Sequence, residues 1–556
     1  MKPGIVKRLT DELIGTSRNA RDYTIETVKK YSLVPVCTGI VGLGIAGGLI
    51  GLYGEKVNAS YSMVQPSVER SYSGGNEADF NLDGVVDEYD KEDMRNGYIG
   101  NQLIVRFEDS VTGKRKEEII AQYGLTLLRT SGNRYLLEVP RNDLEKIYEA
   151  MNNNPEIDLA GKNGLFQNRP IDSTLIEIPP NQINEAGGSF PNDPMYTYQW
   201  GPPAMNLPAS WVYFTSGNPS VKVAVMDTGF YIAHEDLAHL AGNVEKYNAI
   251  DGSSNVDPSS EDTTSHGTKV LGVLAAKMDN NKGIAGVAPD VSYMLIKACL
   301  DTTQVCNDFD YADAIQWADD NGADVLSISV GAQNSPFIYD GLLHAVEISG
   351  VAVFVAAGNE NDQGGIFPAS HPSVMAVGAV DSNLVRASFS NYGSDFIFAP
   401  GYDIITTEDA YSDAYVLTGG TSFAAPHVAG LAALYLSHVP PAYRTANKVY
   451  AYVQNSALSL SPSSTYGYGF AQVFVADFMG KEHPGDCRFV DSDGNTIIDA
   501  VDAQSVAFRW ATQVGDQYYH PKYDVYPYEN GATPDGEINI YDLQTVFGRF
   551  NRRCPY

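Results

Sequence analysis

Residues 313–359 read DAIQWADDNGADVLSISVGAQNSPFIYDGLLHAVEISGVAVFVAAGN. Two short runs within it, DVLSISVG (324–331) and VAVFVAAGN (351–359), are rich in β-branched residues and carry no charge after Asp324. The stretches before them, DAIQWADDNG (313–322) and GLLHAVEISG (341–350), have helical apolar spacing and end on Asn-Gly or Gly. Strands buried on both sides and alternating with helices form a parallel sheet covered on both faces. The same alternation runs outward through VKVAVMD (221–227), HGTKVLGVLAAKM (266–278), SYMLIKAC (292–299) and VMAVGAV (374–380). The expected fold class of residues 193–480 is therefore α/β. In such sheets, sites form beyond the carboxyl ends of the strands.

Four residues fall at those ends or at helix starts. Asp227 closes the strand VAVMD before the turn residue Gly229, where a buried carboxylate can orient a base. His266 opens a helix. Asn359 ends VAVFVAAGN, and its amide can donate to an oxyanion. Ser422 lies in GGTSFAAPHVAGLAAL, where Gly419 and Gly420 allow close approach and Pro426 suits a first helical turn. A hydroxyl at a helix start faces free N–H groups that favour a developing anion. A lone His before Gly, or a Ser at a cap, is usually structural. The four together supply a base, its orienter, a nucleophile and an oxyanion donor.

Over residues 193–480 the chain resembles the subtilisin-like serine proteases, or subtilases, whose three catalytic blocks look like VAVMDTG, SHGTKVLG and GTSFAAPHVAG here. The resemblance implies a subtilisin-like fold, Asp227 as orienter, His266 as general base and acid, Ser422 as nucleophile, and Asn359 with the Ser422 N–H as the oxyanion hole. It needs no cofactor for catalysis. By the same resemblance SISVGA (327–332) is the edge strand that pairs with substrate backbone, giving Ser329 and Gly331, and Ala357 and Gly358 form the opposite wall. DNNKGIAG (279–286) looks like a metal-binding loop of some subtilases. Two departures stand beside the triad: Lys269 replaces the usual second His of HGTH, and Phe230 follows the Asp block. Protein or peptide substrates are the implied partners. The rival readings are a peptide ligase or cyclase, in which an amine takes the acyl group, and an inert calcium-dependent docking protein.

Outside this segment the chain has several further parts, as its 556 residues lead one to expect. Residues 1–32 carry the basic residues that precede an uncharged apolar run at 33–53, long enough for a membrane helix or signal segment. By the positive-inside rule the remainder is exported, to the cell surface or beyond, with an anchor favoured over a cleaved signal. Residues 54–100 read as a linker containing a calcium loop at 79–90: Asp79, Asn81, Asp83, Asp87 and Asp90 occupy positions 1, 3, 5, 9 and 12, with Gly84 at 6. Residues 101–167 follow the β-α-β-β-α-β order of a ferredoxin-like unit. Given the family, that unit resembles the inhibitory prodomain of subtilases, an intramolecular partner whose tail blocks the site. The Pro-rich segment 168–192 is then the processing linker, with self-cleavage expected within 168–194.

Residues 484–556 contain two further acidic loops with helical patterns, resembling a dockerin-type module, a small helical calcium-loop unit whose relatives bind cohesin modules. Asp491, Asp493, Asp499 and Asp502 are the candidate ligands of the first, and Asp535, Asn539 and Asp542 of the second; structural Ca²⁺ is the implied ion. Four cysteines lie beyond the apolar run, Cys299, Cys306, Cys487 and Cys554, and allow three pairings; proximity favours Cys299–Cys306.

Net charge is −31, which argues against nucleic acid as a partner. The acid is concentrated in residues 195–480, with nine Lys/Arg against 28 Asp/Glu, whereas 101–167 is nearly balanced, with nine against ten. A field of that sign favours neutral or cationic peptides.

Overall fold

A computed structural model describes residues 88–168, 174–175, 191–213, 216–259, 266–439, 441, 444–473, 512–513 and 537–538. The first unit begins with helix α1 (Glu88–Asn96) and continues β1 (Tyr98–Phe107), α2 (Gly113–Gln122), β2 (Thr126–Ser131), β3 (Arg134–Glu138), α3 (Leu144–Asn152) and β4 (Ile157–Gln167). Its strands pair antiparallel in the order β2-β3-β1-β4, the arrangement expected of the β-α-β-β-α-β pattern. Leu103, Val105, Leu137, Ile119, Ile147 and Met151 make its core. This unit begins ahead of residue 101, because the buried carboxylate of Asp93 in α1 accepts from Gly100 N–H and pairs with Arg141.

The large unit carries β6 (Lys222–Asp227), β7 (Glu245–Asn248), α4 (His266–Ala275), β8 (Ser292–Lys297), β9 (Val305–Asn307), α5 (Asp308–Asp320), β10 (Val325–Ile328), α6 (Pro336–His344), β11 (Ala352–Ala356), β12 (Met375–Val380), β13 (Ile397–Pro400), β14 (Ile404–Thr407), β15 (Tyr415–Thr418), α7 (Thr421–Leu436), α8 (Ala446–Ser456) and β16 (Gly469–Phe470). Eight strands form one sheet in the order β16-β13-β12-β11-β10-β6-β8-β7, and each pairing is parallel. Every residue of β10 and β12 is buried, as the unbroken apolar runs require of a sheet covered on both faces. From β6 the chain moves to β8 on one side, then returns to β10 on the other. That reversal puts a crevice at the carboxyl ends of β6 and β10.

Helix α7 packs on β10 to β13 and on α4 and is buried on nearly every face, which its run of Ala and Gly makes possible. Helix α5 is capped by Asn307, whose Oδ1 accepts from Asp310 N–H, and stops before Gly322 at φ +76°. A short sheet, β14 with β15, takes in β5 (Thr174–Leu175) as a third strand.

The two units are joined by hydrogen bonds as well as by chain. Strand β9 pairs antiparallel with β4, so the first sheet has a fifth strand supplied by the large unit. Cys299 and Cys306 form a disulfide at the base of the loop that leads into β9, the pairing favoured by proximity. Cys487 and Cys554 lie outside the described residues, as do the apolar run 33–53, residues 79–87 of the first acidic loop, and Asp491, Asp493, Asp499, Asp502, Asp535, Asn539 and Asp542. Among the described residues no helix is long and apolar enough to cross a membrane. Thr512–Gln513 pairs with Glu537–Ile538 in a two-residue antiparallel ladder.

Candidate active site

Asp227 is the last residue of β6 and is fully buried. Its Oδ1 accepts from Thr228 N–H at 2.8 Å and lies 2.7 Å from His266 Nδ1. Since an ionised carboxylate only accepts, this bond puts the proton on Nδ1 and leaves Nε2 with a lone pair. Helix α4 reaches the end of β6 because its second residue is Gly267. A Cβ there would overlap the Gly229 carbonyl and lie 3.1 Å from Asp227 Cβ. Two threonines lock the contact: Gly267 N–H donates to Thr228 Oγ1, and Tyr231 N–H to Thr268 Oγ1. The His266 ring stands 5.9 Å from that of Phe423, beside the start of α7.

Ser422 is the second residue of α7, so its N–H belongs to the first turn, which has no partner within the helix. The helix begins at Thr421, behind Gly420 at φ +140°. Pro426 therefore lies beyond the first turn in which its position was expected, inside the helix. This has a use. A residue at 426 with an N–H would donate to the Ser422 carbonyl four residues back; proline has none. That carbonyl accepts instead from Ser329 Oγ at 2.8 Å, and Ser422 Oγ donates to Ser329 O at 3.2 Å. Two reciprocal bonds thus tie the hydroxyl residue to the segment following β10.

Asn359 follows β11, and its Oδ1 accepts both Thr421 N–H and Thr421 Oγ1–H. With the oxygen engaged on the residue before Ser422, the NH₂ half of the amide is the part left to a ligand. Gly358, at φ +108°, donates its N–H to Thr421 Oγ1; its conformation suits glycine alone. Ala357 is buried, with its N–H on Val377 O and its carbonyl accepting from Ile366 N–H and Asn391 Nδ2.

The segment 327–332 is not an edge strand. Ser327 and Ile328 lie in β10, between β6 and β11 in the middle of the sheet. Only beyond residue 328 does the chain leave the ladder and free its backbone groups. There Gly331 N–H donates to Asn168 Oδ1 at 2.6 Å. Asn168 also gives its own N–H to Gln304 O at 3.0 Å, and Gln167 Nε2 reaches Thr303 O. The end of the first unit thus runs between Gly331 on one side and Gln304 with β9 on the other, and Phe166 covers Gly331 where a Cβ would collide with its ring. Strand β9 is a wall that sequence reading missed. Three residues around a half-cystine show no period, and the usable signal was the Cys299–Cys306 spacing.

Lys269 Nζ pairs with Glu408 Oε2 at 2.9 Å, both side chains about 5% exposed, and Phe230 is wholly buried. Thr406 and Thr407 donate their hydroxyls to the carbonyls of Lys269 and Thr268, so α4 is fixed to β14.

Of the first acidic loop, Asp90 is described; it lies in α1, buried. In loop 279–286, Asp193 accepts from Asp279 and Asn280 N–H, and Asp236 from Asn280 Nδ2, Ile284 N–H and Tyr415 O–H. Burial pushes the Asp193 carboxyl up to about 6, and that of Asp236 upward as well. The Tyr415 hydroxyl fills the concave side of this loop against Gly283. Two carboxylates thus converge on this loop, and among the described residues no group of three or more His, Cys, Asp or Glu is arranged to hold a metal.

Residues 218–469 match the sequence model of the subtilase family, and residues 86–163 that of the fervidolysin N-terminal prodomain. A thermophilic serine proteinase of Bacillus sp. (strain AK1) is 33% identical over 389 residues, 69% of this chain and 88% of that protein. Subtilisin DY of Bacillus licheniformis is 38% identical over 266 residues, 46% of this chain and 90% of the relative. A solved protease from Pseudoalteromonas arctica shares 29% identity over 52% of this chain and 98% of its own, with a TM-score of 0.45.

Proposed function

This chain belongs to the subtilase family and is a subtilisin-type serine endopeptidase with an N-terminal prodomain, and we propose that Asp227, His266, Ser422 and Asn359 carry its chemistry, that it is exported, and that it frees itself by cutting its own chain within 168–194. The observation that carries the site assignment is the buried Asp227–His266 bond at the crevice, next to the helix start that presents Ser422. Ser422 Oγ attacks the scissile carbonyl and passes its proton to His266 Nε2. Asp227 holds the tautomer and stabilises the imidazolium. The oxyanion is met by Ser422 N–H and Asn359 Nδ2. Collapse breaks the C–N bond, the amine leaves with the proton from His266, and water then cleaves the acyl ester by the same route. Ser422 Oγ, held on Ser329 O at 3.2 Å, leaves that carbonyl to meet His266.

The run Phe166 to Asn168, lying between Gly331 and Gln304, supports a tail that blocks the cleft as an extended peptide would. Ser329, two residues before Gly331, bonds Ser422, so one short segment links Asn168 of the tail to the start of the nucleophile's helix. Structural calcium belongs to loop 79–90 and the loops of 484–556, with a cohesin-like protein as a docking partner. The uncharged run 33–53 supports export, with retention at the cell surface. Fluorophosphonate labelling tests the enzyme reading: the processed, Ca²⁺-loaded protein takes up one label at Ser422, and Ser422→Ala takes up none and stays uncut. Unlabelled wild type would overturn it.

A further inference from the structure

Arg129, on the outer strand β2 of the prodomain, ends in a site built wholly by the catalytic domain. Its Nη1 donates to Ile250 O at 2.7 Å and Asp310 Oδ1 at 2.8 Å; its Nη2 donates to Ala249 O at 2.7 Å and Asp313 Oδ2 at 3.1 Å. Its guanidinium carbon lies 5.2 Å from the centre of the Phe309 ring. Two carboxylates, two main-chain carbonyls and an aromatic face match the planar fork of a guanidinium and suit a compact ammonium poorly.

The acceptors are also held in place without Arg129. Tyr247 O–H donates to Asp313 Oδ2 at 2.5 Å, with the Tyr247 ring stacked on Trp317, and Asn307 Nδ2 donates to Asp310 Oδ2 at 2.6 Å. Ile250 N–H is fixed on Asn248 Oδ1. Such a site is pre-organised, and its acidic side chains, 3% and 9% exposed, have no other cation within ion-pair distance among the described residues. Of the other prodomain contacts, β4 on β9 is main-chain pairing, Asn163 Oδ1 caps Phe309 N–H, Arg134 reaches only the Ala312 carbonyl and Ser131, and Arg106 Nη1 pairs at 2.8 Å with Asp340, a carboxylate 44% exposed that water screens.

We propose that Asp310, Asp313, Phe309 and the carbonyls of Ala249 and Ile250 form a guanidinium-specific socket, and that Arg129 in it is the latch that sets how long the severed prodomain stays on the cleft. This rests on reading residues 88–168 as the inhibitor. After cleavage the tail loses its covalent link, and the latch is the charged anchor seated on buried carboxylates that still opposes departure. Removing one partner of a buried, hydrogen-bonded charge pair acts mainly on the dissociation rate.

The test uses protein made from the full chain and follows release of the cut prodomain by size-exclusion of timed samples, with peptidase activity per fluorophosphonate-labelled site as a second readout. Arg129→Gln is expected to speed release at least about 30-fold, with the final activity per labelled site unchanged. Arg129→Lys, which keeps the charge but not the fork, is expected to stay nearer Gln than wild type. Asp310→Asn speeds release too, and Arg129→Gln with Asp310→Asn gives less than the product of the two effects, because both remove one interaction. Release within about twofold of wild type in both single variants, or multiplicative effects in the double, overturns the latch. If Arg129→Gln yields no labelled protein, Arg129→Lys and Asp310→Asn decide by the same criteria. If wild type does not cut itself, self-processing falls, and the socket is tested on zymogen nicked within 168–194 by an added protease.

Discussion

Asn359 spends its carbonyl oxygen on Thr421 and so turns its NH₂ toward the crevice. Asn359→Leu keeps the volume and deletes the donor; kcat should fall by about 10²–10³, the range known for such a donor in this family, with KM little changed. Steady-state kinetics on a peptide substrate check this, and a matching rise in KM would point to ground-state binding instead. Lys269 and Glu408 make a buried pair one turn from His266. Lys269→Met alone should cost about 3–5 kcal/mol by leaving Glu408 buried and uncompensated, whereas Lys269→Met with Glu408→Leu should recover most of it. Urea unfolding in the Ser422→Ala background measures both. Asp227, His266 and Ser422 were legible in the sequence because each sits in a contiguous motif of small residues and glycine that allows close approach. Glu408 as the partner of Lys269 was not, since the two lie far apart in the chain and no periodicity links them. The reciprocal bonds of Ser329 and Ser422 were hidden for the same reason.

At the scale of elements, α7 carries a proline that its helix geometry would reject and its chemistry uses. Pro426→Ala restores an N–H that competes with Ser329 for the Ser422 carbonyl. Unfolding free energy should hold or rise, by up to about 3 kcal/mol for an interior proline removed. Turnover should fall roughly tenfold as the nucleophile's peptide turns back into the helix. Calorimetry with kinetics separates the two effects, and unchanged turnover would mean that the freed carbonyl has no catalytic role. The helix itself is readable from GGTSFAAPHVAG, but it starts at Thr421, well before Pro426, because Gly420 ends the preceding chain there. The strands of the parallel sheet were legible from unbroken apolar runs. Strand β9 was not, because its pairing is supplied by another domain. The ladder limits of β10 likewise depend on where its neighbours diverge, which no single run of sequence records.

Over the whole molecule, the acid of the catalytic domain meets the prodomain's arginines: Arg129 on Asp310 and Asp313, and Arg106 on Asp340. Beneath this interface burial pushes the Asp308 carboxyl up to about 7, with only hydrogen bonds such as that from Gly164 N–H acting the other way. Because this value exceeds the ordinary carboxylate range, the folded zymogen retains a proton that the unfolded chain releases. The contribution of Asp308 to stability is therefore full at low pH and lost as pH rises from about 4 through about 7, by at most about 4 kcal/mol. Melting of the Ser422→Ala zymogen at pH 5 and pH 8 tests this, and Asp308→Asn should reduce the difference, leaving the share of Asp310, which burial also pushes up to about 7. Once the prodomain has left, the mature domain's acid should favour Lys-rich over Glu-rich matched peptides at low salt, and equal cleavage would remove the idea. The sheet order has a consequence in time. Val223 pairs with Val325, so the central ladder closes a loop of about a hundred residues before it gains a contact, while the prodomain hairpin pairs Ser131 with Arg134. Distant pairing is slow to nucleate and near pairing is quick. The small unit can therefore assemble first and offer β4 as a ready edge to β9, guiding a chain that would otherwise search slowly. If the guide is cut away as proposed, the route back should be lost with it, and the remaining domain should last as long as its unfolding barrier holds, whatever its equilibrium would be.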